Sequence, residues 1–238
     1  MQIALIGYGK MGKAIEEIAL QQGHTISLKI NDENLQDFTR EKLAGTDVAI
    51  EFTGPQSAYE NVRQLINWGK PVVCGSTGWT EHLPEINALV QQQGGSFLYA
   101  SNFSIGVNIF FELNKKLAAL MAPHAGYDVT MEEIHHTQKK DAPSGTAITL
   151  AEQILAASPI KKNWVNSVAA GKEQLSIISK RTDPTPGTHS IRYHSAIDDI
   201  EIIHTAHSRQ GFAAGAVLAA AYIHDKKGVF RMQDVLGF

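Results

Sequence analysis

One cysteine, Cys74, stands among 238 residues. A lone thiol makes no intrachain disulfide, so a disulfide-stapled fold is excluded and a reducing compartment fits. Cys74 ends the apolar run Pro71-Val72-Val73 and reads as core rather than nucleophile. A basic excess is missing too, because 21 Lys and Arg meet 24 Asp and Glu for a formal net charge of −3. That balance speaks against a nucleic-acid partner, and the pairs Lys115-Lys116, Lys161-Lys162 and Lys226-Lys227 read as solvated surface. No apolar run reaches membrane-spanning length, and the start MQIALIGYGK shows no basic segment, long apolar stretch or cleavage site. The expectation is a soluble, cytoplasmic, globular protein with no membrane partner. Metal motifs are scarce as well. There is no H-x-x-x-H and no Cys pair, and the adjacent His135 and His136 would point to opposite faces of a strand. No metal is expected.

What is present is a clear alternation. Gln2–Ile6, Thr25–Ile30, Asp47–Phe52, Pro71–Cys74 and Ser96–Ala100 read as short apolar strands. Between them, Lys10–Gln22, Ser57–Trp68 and Glu81–Gln93 carry helical spacing, two of them stopped by Gly23 and Gly69. Strands alternating with helices predict a parallel sheet. The pattern changes near Phe103–Gly106, the best domain boundary. Val107–Met121 reads as a helix, followed by longer strand candidates at Tyr127–His135, Gln174–Ser179, Thr188–His194 and Ile200–His207. Their apolar–polar alternation suits an antiparallel sheet with one wet face. Helices are expected at Gly145–Ala157 and Gly211–Ile223, and a loop over Ser158–Lys172.

Gly7-Tyr8-Gly9-Lys10-Met11-Gly12 is a G-x-G-x-x-G that follows a strand and opens a helix. That context is what a dinucleotide pyrophosphate needs: a tight turn, close backbone approach, and free N–H groups at a helix start. An acid should follow the second strand to hold the ribose hydroxyls. Asn31-Asp32-Glu33 stands there, with Asp32 the best candidate and Asn31 one position earlier. Two acids at that point favour NADH over NADPH, although Lys10 and Lys29 stay open as phosphate partners. Further strand ends complete such a crevice: Glu51-Phe52-Thr53-Gly54-Pro55, Gly75-Ser76-Thr77-Gly78 and Ser101-Asn102-Phe103.

The stretch EEIHHTQKKDAPSGTA packs His135, His136, Lys139, Lys140 and Asp141 ahead of a helix start at Pro143-Ser144-Gly145-Thr146, with Ser144 or Asp141 as cap. A cation beside free helix N–H groups suits a carboxylate, and a neighbouring histidine can supply a proton. A polar strand end before a capped helix is the plainer alternative.

This stretch resembles the E-x-H-H-x-x-K-x-D-A-P-S-G-T-A motif of the 4-hydroxy-tetrahydrodipicolinate reductase (dihydrodipicolinate reductase) family. Gly7–Gly12, Gly75–Gly78, Ala100-Ser101-Asn102-Phe103-Ser104 and the C-terminal HSRQGFAAGAVLAA and FRMQDVLGF extend the resemblance over essentially the whole chain. It implies an α/β protein with a Rossmann-type parallel-sheet domain over 1–104, completed by 214–238. A C-terminal α+β domain over 105–213, with a mixed open sheet, would bind substrate and build a homotetramer. The implied reaction is NAD(P)H-dependent reduction of a small cyclic dicarboxylate, 4-hydroxy-tetrahydrodipicolinate, in lysine and diaminopimelate biosynthesis. By motif match, His135 takes the proton-donor position and Lys139 a second donor or orienting position. His136, Ser144, Gly145 and Thr146 take substrate-binding positions. The cofactor positions fall on Gly7, Tyr8, Gly9, Lys10, Met11, Gly12, Asn31 or Asp32, Gly75, Ser76, Thr77, Ala100, Ser101, Asn102 and Phe103. Two alternatives stay open: another two-domain NAD(P)-dependent dehydrogenase of a small amino or keto acid, and a non-catalytic dinucleotide sensor.

Overall fold

Strand β1 (Gln2–Ile6) shows how the first half is built. Its side chains alternate between two apolar clusters, Ile3 and Leu5 entering one and Ala4 and Ile6 the other. A strand buried on both faces belongs in the middle of a parallel sheet, and each fully buried Ile or Leu adds about 1.5–3 kcal/mol. The computed structural model describes residues 1–208 and 210–238 and bears this out.

The chain divides into two compact units, Met1–Ile105 with Gln210–Phe238, and Gly106–Arg209. In the first, β1 pairs with β2 (Thr25–Ile30) on one side and β3 (Val48–Glu51) on the other. Beyond β3 lie β4 (Val72–Cys74), β5 (Ser96–Tyr99) and β11 (Gly228–Phe230), giving a six-stranded sheet in the order β11-β5-β4-β3-β1-β2. Every pairing in it is parallel. Helices α1 (Lys10–Gln21), α6 (Gln210–Ile223) and α7 (Met232–Leu236) cover one face. Helices α2 (Ala58–Asn67) and α3 (Leu83–Gln93) cover the other. Strand order reverses at β1, with β2 to one side and β3 to the other, and ligands of such sheets bind beyond the strand ends at that point.

The second unit holds a five-stranded sheet in the order β10-β9-β6-β8-β7. Its strands are β6 (Asp128–His135), β7 (Asn163–Val165), β8 (Gln174–Arg181), β9 (Gly187–His194) and β10 (Asp199–Ala206). The alternating pattern suits an antiparallel sheet, whereas the family resemblance implies a mixed one, and the structure shows the mixed sheet. β6 runs parallel to β8 and β8 to β7, while β6–β9 and β9–β10 are antiparallel. Alternation reports one covered face, and it carries no information on strand direction. Helices α4 (Ile105–Met121) and α5 (Gly145–Ala157) cover that face, with Phe110, Leu150 and Ile154 packed on Met131, Ile177 and Ile191. The other face is uncovered: Ile203 on β10 is 58% exposed.

Besides a 3-10 turn at Leu35–Asp37, three elements escaped the sequence reading. β7 lies inside the stretch expected to be a loop, and β11 and α7 lie in the tail. β7 and β11 span three residues each, too short for a period to show. Lys161 departs from expectation as well. It is buried, its ammonium 2.7 Å from Asp128 and donating to the Gln174 carbonyl at 2.8 Å. Its aliphatic stem lies against unit-two core while the head finds two oxygens, which a count of paired lysines cannot reveal.

Candidate active site

In the first unit the glycine turn joins β1 to α1, and its glycines do different work. Gly7 has φ +100°, and a side chain there would put Cβ 2.3 Å from the Phe52 carbonyl oxygen. A Cβ on Gly12 would lie 2.5 Å from the Gly7 oxygen. Both are demanded by the protein's own packing. Gly9 differs, since a Cβ there would meet nothing within 4 Å. Its bareness leaves backbone open to an incoming group, as dinucleotide turns require.

A crevice of about 440 Å³ runs past this turn. Gly7, Tyr8 and Gly9 form one wall, Asn31, Asp32, Leu35 and Phe38 the far end, and Phe52–Gly54, Gln56, Ser57 and Asn61 the opposite wall. No Lys or Arg lines it among the described residues. Lys29, one of two lysines considered for phosphate, is held at 2.6 Å by Glu16, which also accepts from the Tyr8 hydroxyl. Asn31 and Asp32 are distinguished by their bonds. The Asn31 side-chain oxygen accepts from the Glu33 N–H at 2.9 Å, so that side chain closes a local turn. Asp32 is exposed at the crevice.

The ends of β3, β4 and β5 converge beside that wall. A Cβ on Gly75 would lie 2.2 Å from the Phe52 ring, and the Phe52 and Phe103 rings are 5.7 Å apart. Gly75 N–H donates to the Glu51 carbonyl and Ala100 N–H to that of Cys74. Gly75–Thr77 and Ala100–Phe103 therefore sit together at strand carboxyl ends. Beneath them Glu51 is fully buried, accepting from Thr53 N–H at 2.9 Å and from the Cys74 thiol at 3.0 Å. Cys74 is core, and burial, reinforced by the Glu51 charge, pushes its thiol well up.

In the second unit a polar cluster forms where β6 ends. The alternation along β6 turns Glu133 and His135 to the covered face, where Glu133 is 0% exposed. Oε1 of Glu133 lies 3.2 Å from the Arg181 guanidinium at the end of β8. Oε2 accepts from the Ser144 N–H at 3.1 Å and lies 3.3 Å from His135 Nδ1. The second contact is within charge-attraction distance but off line for a well-formed hydrogen bond. His189 on β9 puts Nε2 3.1 Å from Ser144 Oγ and 3.8 Å from Glu133. Ser144 caps α5, its hydroxyl accepting from the Ala147 N–H. Of the two cap candidates, then, Ser144 fills the role.

Charge follows from these contacts. Burial pushes the Glu133 carboxyl up, but the polar groups of His135, Ser144 and Ser179 around it outweigh burial and hold it well below the carboxylate range. His189 is pushed down to about 4, first by burial and then by the neighbouring His135. Lys139 reaches both Asp141 oxygens at 2.8 Å. His136 begins a turn, its carbonyl accepting from the Lys139 N–H. Gly145 is exposed at the helix start, Thr146 half-buried beside it, and Lys140 is solvent-exposed. Glu133, His135 and His189 each bring one ligand-type atom within 4.8 Å of the others. Arg181 already supplies positive charge to that carboxylate.

Two family models divide the chain between them. Residues 1–103 match the dihydrodipicolinate reductase N-terminus and 106–236 its C-terminus. The chain belongs to the dihydrodipicolinate reductase family. Within it, a 4-hydroxy-tetrahydrodipicolinate reductase of Christiangramia forsetii is 48% identical over 240 residues, covering 99% of this chain and 98% of the relative. One of Akkermansia muciniphila is 34% identical, covering 96% and 94%. The dipicolinate-bound dihydrodipicolinate reductase of Paenisporosarcina sp. TG-14 shares the fold, with a TM-score of 0.78 over 98% of each chain at 23% identity.

Set on this family member, the motif residues fall into two groups. His135, Ser144 and the α5 start share one hub, whereas Lys139 and Asp141 pair at its rim. Three residues of the hub were given no role by sequence reasoning: Glu133, Arg181 and His189. A signal for Glu133 existed. It lies two residues before His135 on a strand and so shares its face.

Proposed function

We propose that this protein catalyses NAD(P)H-dependent reduction of 4-hydroxy-tetrahydrodipicolinate to tetrahydrodipicolinate, in lysine and diaminopimelate biosynthesis. One observation carries the reading: a buried, charged hub beside a capped helix start, in a chain 48% identical over nearly its full length to such a reductase. Substrate, reduced cofactor and one proton give product, oxidised cofactor and water. The nicotinamide, when bound, supplies the hydride. The chain's own residues bind, orient and protonate. Lys139 and the Gly145–Thr146 backbone clamp a carboxylate, where the ammonium would exchange Asp141 for the substrate. His136 and Ser144 complete the binding set, and His135 delivers the proton as negative charge develops. A small cyclic dicarboxylate is supported by the dipicolinate carried by the Paenisporosarcina protein.

The dinucleotide fits the first unit because Gly9 leaves space that Gly7 and Gly12 do not. Tyr8, Lys10, Met11 and the strand ends at Gly75–Thr77 and Ala100–Phe103 would line its path. Asp32 would hold the adenosine ribose, with Asn31 shaping the turn around it. NADH is the preferred cofactor: a 2′-phosphate would face the Asp32 charge in a crevice that no Lys or Arg lines among the described residues. The uncovered face of the second sheet supports a homotetramer assembled there, and the buried, unpaired thiol fits a cytoplasmic location. The test is oxidation of NADH and of NADPH with freshly generated substrate, beside a control without it. Turnover faster with NADH is expected, and none with either cofactor sinks the reading.

A further inference from the structure

The proposed reaction uses His135 and the start of α5, and neither is rigid by itself. His135 ends a strand, and α5 begins after a loop. One side chain touches both. Through Oε2, Glu133 takes the Ser144 N–H, which positions the cap of α5, and faces His135 Nδ1. Through Oε1 it is tied to Arg181 on β8, which also donates to the Asp141 carbonyl. A fully buried carboxylate is costly unless its lone pairs are filled, so this one fixes the groups that fill them.

We propose that Glu133 is a positioning residue for this reaction: its carboxylate sets the tautomer and aim of the His135 ring and locks the first turn of α5 to the same frame. The proposal rests on the reductase reading. With Nδ1 turned to Glu133, the neutral ring carries its proton on Nδ1, and any second proton sits on Nε2. That edge is kept clear by Gly187, where a Cβ would lie 3.1 Å from Nε2. The ring of His189 from β9 stands 5.1 Å away between centroids. Among the described residues, the carboxylate paired with Nδ1 is that of Glu133. The 3.3 Å contact is long for the hydrogen bond proposed, and such bonds commonly tighten when substrate closes on them.

The experiment is imidazole ¹⁵N NMR of the full chain together with steady-state kinetics, for wild type, Glu133→Gln and Glu133→Asp. Wild-type His135 is expected as a single Nδ1–H tautomer when neutral, and Glu133→Gln as a mixture. In Glu133→Gln, kcat should fall about tenfold or more while KM for NADH stays within about twofold. Glu133→Asp keeps the charge and should recover part of both the tautomer and the rate. A merely structural role would reduce folded protein and leave the tautomer of the remainder unchanged. Wild-type tautomer and kcat in Glu133→Gln overturn the proposal. If that variant does not fold, wild-type kcat in Glu133→Asp overturns it. A wild-type protein that reduces no substrate sinks the reductase reading, and the tautomer comparison still decides whether Glu133 sets the ring.

Discussion

Removing the His189 imidazole should make this protein less sensitive to mild acid. His189 is 5% exposed, and burial with the neighbouring His135 lowers it from 6.5 to about 4. Below pH 6.5 the unfolded chain protonates this ring, while the folded one stays neutral until about pH 4. The unfolded state therefore binds more protons across that window, and stability falls as acidity rises. Integrating between those two values gives a loss of about 1.4 kcal/mol by pH 5.5 and about 2.5 kcal/mol by pH 4.5. In His189→Gln that loss is absent. The amide still reaches toward Ser144, but lost packing should leave the variant less stable at pH 7.5. The gap to wild type should then close by about 2.5 kcal/mol at pH 4.5. Urea titrations read by pulsed hydrogen exchange on peptides covering 128–135 and 187–194 would report the second unit alone. His24, also lowered by burial, acts equally in both proteins and cancels in the difference. Glu133 adds its own acid loss only below its unfolded value of 4.5. A gap unchanged between pH 7.5 and 4.5 refutes the argument, because His189 would then titrate alike in both states.

Three further outcomes are expected. Turnover with NADH should fall about a hundredfold in His135→Gln and in Lys139→Ala, and near-wild-type kcat in either removes the role given to that residue. Asp32→Ala should lower kcat/KM for NADH about tenfold or more, the worth of a charge-assisted bond, while changing NADPH less; equal losses with both cofactors would place the ribose elsewhere. Prolonged dialysis against a strong chelator should leave the rate unchanged, whereas a loss restored by zinc would show that Glu133, His135 and His189 hold a metal rather than form a hydrogen-bond hub.

Sequence patterns reported local order well wherever a period had room to repeat. The alternation from β1 to β5 and the spacing of α1 and α2 follow from which side chains must leave water, and they recover the parallel sheet. Strand direction in the second sheet was not legible, since β6 alternates in the same way whether β8 runs with it or against it. Burial of Lys161 depends on Asp128 and on a carbonyl of β8, neither adjacent in sequence. The hub shows the same limit. Its members His135 and Ser144 belong to one continuous motif, but Arg181 and His189 come from later strands and are brought in by sheet register, His189 standing opposite Glu133. Glu133 was legible as a strand acid and no more, because a carboxylate facing solvent and one buried against a guanidinium have the same sequence signature.

The first unit is discontinuous: it leaves off at Ile105 and resumes at Gln210. Its later piece supplies Ala213, Ala216, Val217, Ala219, Ala220 and Ile223, all fully buried against the parallel sheet. During synthesis, then, the part of the protein made first is the part completed last. The second unit emerges whole before α6 exists and can form its own sheet while the parallel sheet still shows one apolar face to water. The interval in which that face is open is set by the time needed to translate about a hundred residues, several seconds at ordinary ribosome speed.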